Sequence, residues 1–163
     1  MSSPAKLYEQ ALLSGVLQAD EGQAKIIAAF DELYHRLENK AGKPSLLSRL
    51  KPSKKQAIKG LYIYGGVGRG KTLLMDLFYT SLPETSARRL HFHDFMVMAH
   101  DEMNNARLAG ADDLVSYAAA RLAEGPKILC FDEMEVRDIA DAMILKRLFD
   151  GLFNAGVTVI ENS

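Results

Sequence analysis

Eight consecutive residues, Gly65-Gly66-Val67-Gly68-Arg69-Gly70-Lys71-Thr72, have the types and spacing of a phosphate cradle. Glycines let a backbone turn through positive φ and come close to an anion, so successive N–H groups and a following helix N-terminus can point at phosphate. In such a loop Lys71 supplies a mobile positive charge for the β- and γ-phosphates, and Thr72 offers its hydroxyl to Mg²⁺. A second group lies sixty-one residues after Lys71, where the apolar run Lys127-Ile128-Leu129-Cys130-Phe131 ends in Asp132-Glu133. Acids at the carboxyl end of a buried parallel strand suit Mg²⁺ held by Asp132, through water, and a water polarised by Glu133 for attack on the γ-phosphate. A glycine-rich turn and an acid-capped strand are the plainer readings of each stretch alone. Their occurrence together, in this order and context, favours the chemistry.

These groups need elements to hold them. The cradle follows the apolar run Leu61-Tyr62-Ile63-Tyr64 and opens into Leu73-Leu74-Met75-Asp76-Leu77-Phe78, a strand–loop–helix arrangement. Before it, Leu7, Tyr8, Ala11, Leu12 and Val16 recur at helical spacing, and Ala24, Ile26, Ile27, Phe30, Leu33, Tyr34 and Leu37 predict a second amphipathic helix ending before Gly42-Lys43-Pro44. Asp20 and Gln23 have capping-box spacing; the alternative places Gln23 against the base of a nucleotide. Strands are expected at about 61–64, 90–93, 127–131 and 157–160, with helices over 95–109, 112–122 and from Asp138 to Phe153. Met96, Val97, Met103 and Leu108 are read among the apolar positions of the first of these, and the methionines as core filler. Alternating strands and helices imply an α/β fold with a parallel sheet.

Other residues invite weaker readings. His91 and His93, two apart on one expected strand, would share a face suited to a metal, although a structural role accounts for them as well. Arg137 stands either as a phosphate sensor or as an exposed arginine at a helix start. Lys40, Lys43, Arg49, Lys51, Lys54, Lys55 and Lys59 make a basic segment without acids; its prolines and lack of aromatics favour a solvated connector over a nucleic-acid surface. The 163 residues suit about one domain, and a net charge of −1 gives no global pull toward nucleic acid or membrane. The one cysteine, Cys130, excludes an intramolecular disulfide and reads as a small buried apolar residue. No run approaches the ~20 apolar residues of a membrane helix, and the N-terminus lacks the marks of a leader, so the cytoplasm is expected.

Gly60 through Thr72, Leu74-Met75-Asp76-Leu77-Phe78-Tyr79, His91-Phe92-His93-Asp94-Phe95-Met96, Cys130-Phe131-Asp132-Glu133, Val136 and Asp138-Ile139-Ala140-Asp141-Ala142-Met143 together resemble the ZapE-type, AFG-like ATPases. The resemblance runs over about residues 60–160 and implies an AAA+-like P-loop NTPase hydrolysing ATP with Mg²⁺. Lys71 and Thr72 fall on its Walker-A positions, and Asp132 and Glu133 on its Walker-B positions. It also implies remodelling of a protein partner: the division-ring protein FtsZ for bacterial members, quality control of inner-membrane proteins for mitochondrial ones. The bacterial role is expected here, with a homo-oligomer in the full-length form. Residues 1–59 are expected to form N-terminal helices and a basic connector, and residues 60–163 an NTPase core. Such proteins are roughly twice this long. This sequence reads as an N-terminal fragment whose Glu161-Asn162-Ser163 departs from the expected pattern, without a fifth strand, helical lid, sensor or arginine finger. A nucleic-acid loader and a non-hydrolysing nucleotide-binding module are the alternatives.

Overall fold

A computed structural model describes residues 2–41, 58–63 and 70–162. Two helices come first: α1 (Pro4–Leu13), with Pro4 at the start where its missing N–H is not needed, and α2 (Glu21–Ala41). The Asp20 carboxylate accepts the Gln23 N–H at 2.9 Å, the capping contact that its spacing predicts. Then β1 (Leu61–Ile63), α3 (Lys71–Ser81), β2 (Ala87–His91), α4 (Phe92–Leu108), α5 (Leu114–Leu122), β3 (Ile128–Asp132), α6 (Ile139–Asn154) and β4 (Thr158–Asn162) follow.

The four strands form one parallel sheet in the order β1-β4-β3-β2. β3 is central and its first four residues are buried, as a strand covered on both faces requires. Its side chains alternate between two cores. Ile128 and Cys130 join Ile63 and Ile160 under α1, α2 and α3, where Phe30 and Phe78 stack with ring centroids 4.6 Å apart. Leu129 and Phe131 join Val157 and Val159 under α4, α5 and α6, where Phe95 packs 4.8 Å from Phe131. The result is a three-layer P-loop NTPase-like fold. Gly60 lets β1 reach β4, because a Cβ there would lie 1.7 Å from the Val159 carbonyl oxygen.

The second strand differs from expectation. It begins earlier, at Ala87, and stops at His91, where α4 starts at once with Phe92. His91 and His93 therefore do not share a strand face: His91 precedes the helix and His93 lies inside it. Both arrangements point Phe92 inward and leave the histidines outside, so alternation alone cannot separate them. Two apolar residues also fall on the wet side of α4, Val97 and Leu108, the latter 88% exposed. Val16 lies beyond α1 and is exposed. Among the described residues no helix is long and apolar enough to cross a membrane.

Candidate nucleotide site

In a parallel sheet, ligand-binding groups gather at the carboxyl ends of the strands. Asp132 is the last residue of β3, level with His91 of β2 in the register. Gly70 precedes α3, and Lys71 and Thr72 are its first two residues, on the helical turn where backbone N–H groups lack internal partners. Gly70 has φ 158°, and a Cβ there would come within 2.9 Å of Gln23 Nε2. The Gln23 side chain thus reaches the start of α3 rather than closing a capping box, while its Oε1 accepts from the Tyr8 hydroxyl at 3.4 Å. Gly65, Gly66, Val67, Gly68 and Arg69 lie outside the described residues, as do Lys43, Arg49, Lys51, Lys54 and Lys55 of the basic segment.

One guanidinium ties the site together. Arg89 of β2 donates from Nε to Asp132 Oδ2 at 2.5 Å and from Nη2 to Asp132 Oδ1 at 3.1 Å, and its Nη1 donates to Asp76 Oδ1. Asp76 is four residues after Thr72 on α3 and so stands on the same helical face one turn on. The side chains of Arg89 and Asp132 are 20% and 14% exposed, so this ion pair is poorly screened. The Asp132 hydrogen bonds, then those of Asp76, hold the Arg89 guanidinium even more firmly charged than usual, against the effect of burial. Arg89 has no place in the phosphate-loop pattern, and sequence reasoning missed it. The available signal was a charge inside a strand, which burial would oblige to find a partner.

Glu133 follows with φ 53°, an uncommon value for a residue with a side chain. The next N–H, of Met134, donates to the Asn162 carbonyl at 3.2 Å and so anchors the turn to the end of β4. Glu133 is exposed and borders a cavity of about 380 Å³ with Phe92, His93, Met96, Asp138 and Asp141. Arg137 borders it too, 82% exposed and paired with Glu135 at 2.7 Å. Asp138 caps α6 by accepting from Ala140 N at 2.8 Å, as its position predicts. Cys130 is buried, which pushes its thiol up to about 12 and makes it a poor nucleophile. A larger cavity, about 550 Å³, opens at the other end of the sheet between Tyr34, Leu82, Pro126, Ile128 and Thr158, away from these groups.

The donor set fits Mg²⁺ bound together with a triphosphate. Among the described residues no three His, Cys, Asp or Glu side chains form an all-protein metal cage. Magnesium keeps several waters and takes one or two protein oxygens plus phosphate oxygens, which is what Thr72 and Asp132 offer.

Comparison with known proteins gives the family. The chain is 38% identical to the cell division protein ZapE of Escherichia coli K12, over 99% of this chain and 45% of that protein. It is 34% identical to an uncharacterized protein of Schizosaccharomyces pombe, over 99% of this chain and 43% of the relative. It is 42% identical to lactation elevated protein 1 homolog B of Danio rerio, over 68% of this chain and 24% of that protein. The chain therefore spans less than half the length of these curated relatives. No solved structure matches it at a significant level. The family model described as AFG1-like ATPase matches residues 1–163, and the chain belongs to the AFG1-like ATPase family.

Proposed function

We propose that this chain binds ATP with Mg²⁺ and supplies the hydrolytic core of an ATPase that remodels a protein partner. The observation that carries the proposal is the Arg89 bridge. It joins Asp76, one turn beyond Thr72 on α3, to Asp132 at the end of β3, so the helix that would receive phosphates meets the strand that ends in Asp132-Glu133.

In this reading the amides of Gly65, Gly66, Val67, Gly68, Arg69 and Gly70 line the phosphates, and Lys71 neutralises the β- and γ-oxygens. Thr72 and Asp132 hold Mg²⁺, which when bound spreads the charge of the β- and γ-phosphates. Glu133, presented by its positive-φ turn, orients and deprotonates the attacking water. Little covalent work falls to the protein; positioning and electrostatic stabilisation supply the rate.

The name of the Escherichia coli relative, a cell division protein, supports a protein partner in bacterial division. The family resemblance points to the division-ring protein FtsZ, with action in the bacterial cytoplasm and assembly of the full-length protein into a homo-oligomer.

The test is binding and hydrolysis of MgATP by this chain beside Lys71→Ala and Glu133→Gln. Lys71→Ala is expected to weaken binding by about tenfold or more. Glu133→Gln should keep binding while turnover falls about a hundredfold. A folded parent chain that binds no MgATP defeats the proposal; one that binds without turnover assigns the chain nucleotide binding alone.

A further inference from the structure

We infer that Arg89 is a resident counter-cation for the metal-holding carboxylate, keeping a divalent ion off Asp132 until a triphosphate brings one in. The inference rests on the ATP-site reading above and deepens it.

Both oxygens of Asp132 are already engaged, by Nε and Nη2 of one planar fork, and the third nitrogen is spent on Asp76. A guanidinium matches a carboxylate at two points in fixed geometry, so this is a closed pair rather than a loose contact. The pair is also sheltered, with Arg89 20% and Asp132 14% exposed. Without Arg89, Asp132 at the carboxyl end of β3 and Asp76 on α3 would be two uncompensated carboxylates facing one another, and such a pair draws a divalent cation more strongly than a neutralised one. With Arg89 in place that attraction is largely cancelled. A bare ion would have to open the fork and shed water in exchange for one carboxylate.

A metal arriving with ATP faces different terms. Phosphate oxygens and the Thr72 hydroxyl would hold such an ion, and Asp132 would need only to accept from water on it, for which its remaining lone pairs suffice while the fork stays closed. Arg89 is thus a positioning residue: it holds the Asp132 carboxylate in one orientation and makes metal binding conditional on nucleotide.

A purely structural ion pair makes no such distinction, and titration with Mn²⁺ separates the two. The 163-residue chain and Arg89→Met are titrated with Mn²⁺ alone, reading free Mn²⁺ by its electron paramagnetic resonance signal, and with Mn²⁺ plus ATP, reading the metal and nucleotide retained with the protein in equilibrium dialysis, because ATP binds Mn²⁺ in solution. Without nucleotide, Arg89→Met is expected to take up Mn²⁺ about tenfold more tightly than the parent. The gain should vanish in Arg89→Met/Asp132→Asn. In the parent, uptake should be strong only with ATP. Equal uptake of Mn²⁺ alone by the folded parent and Arg89→Met overturns the inference.

If Arg89→Met does not fold, Arg89→Lys decides. Its ammonium keeps the charge but frees one oxygen of Asp132, so Mn²⁺ alone should bind about threefold more tightly, and unchanged binding again overturns the inference. A parent that binds no ATP defeats the ATP-site reading through the nucleotide arm, while the Mn²⁺-alone comparison still decides the role of Arg89.

Discussion

Glu161 lies on β4 opposite Tyr62 of β1 and Phe131 of β3, and its Oε2 is buried with no hydrogen-bond partner among the described residues. Burial raises the pKa of this carboxyl, because the charged form has lost water and gained nothing in return. The sign of the pH effect follows. A folded-state pKa above the unfolded one means that the penalty is fully present above the folded value and disappears as pH falls through it to the unfolded value. Glu161→Met, an apolar side chain of similar length, should therefore raise stability near neutral pH by about 1 kcal/mol. Denaturant unfolding at a series of pH values would show that gain shrinking on acidification; a gain independent of pH would mean that the lost charge is not the cause.

Pairs of elements carry the opposite kind of carboxylate. Asp113 caps α5 by accepting from Ser116 N at 3.1 Å and Ser116 Oγ at 2.7 Å, and Arg147 of α6 donates to both its oxygens at 2.8 Å. The Ser116 bonds first, and Arg147 after them, pull its pKa down to about 2. This contribution is complete above the ordinary Asp range and is lost as pH falls from there toward about 2. Asp113→Asn keeps the cap but not the charge, so it should be less stable than the parent at about pH 5, and the two unfolding midpoints should converge near pH 2. The same elements show what could be read beforehand. α2 and α6 were legible because each has one dominant apolar stripe and an acid at its start. The start of α3 and the acidic end of β3 were legible too, since a phosphate-loop pattern and an apolar run ending in acids are local signals. The limits of β2 were not, because an inward Phe92 satisfies strand and helix alike. Arg89 escaped for another reason: its partners Asp76 and Asp132 are 13 and 43 residues away, and only the pairing of β2 with β3 and the tertiary placement of α3 bring them together. The strand order is likewise a property of long-range pairing, invisible to periodicity.

Across the whole molecule, α1 and α2 are part of the same core as α3. Phe30 of α2 is fully buried and stacks on Phe78 of α3. Phe30→Ala should lose about 3–5 kcal/mol in denaturant unfolding, a large share of the roughly 5–15 kcal/mol that holds a domain together. A loss within error of zero would mean that the N-terminal layer does not support α3. The order of the sheet also bears on how the protein is made. β1, the strand leading into the phosphate loop, pairs only with β4 among the described residues, Leu61 lying against Ile160. A ribosome adding about 5–20 residues per second needs roughly 5–20 s to pass from one to the other. Until then Leu61–Ile63 lack the one strand neighbour they have among the described residues. On the proposed reading, ATP therefore cannot guide the nascent chain into shape before β4 is made; it can only reward a sheet in which β1 and β4 have already paired.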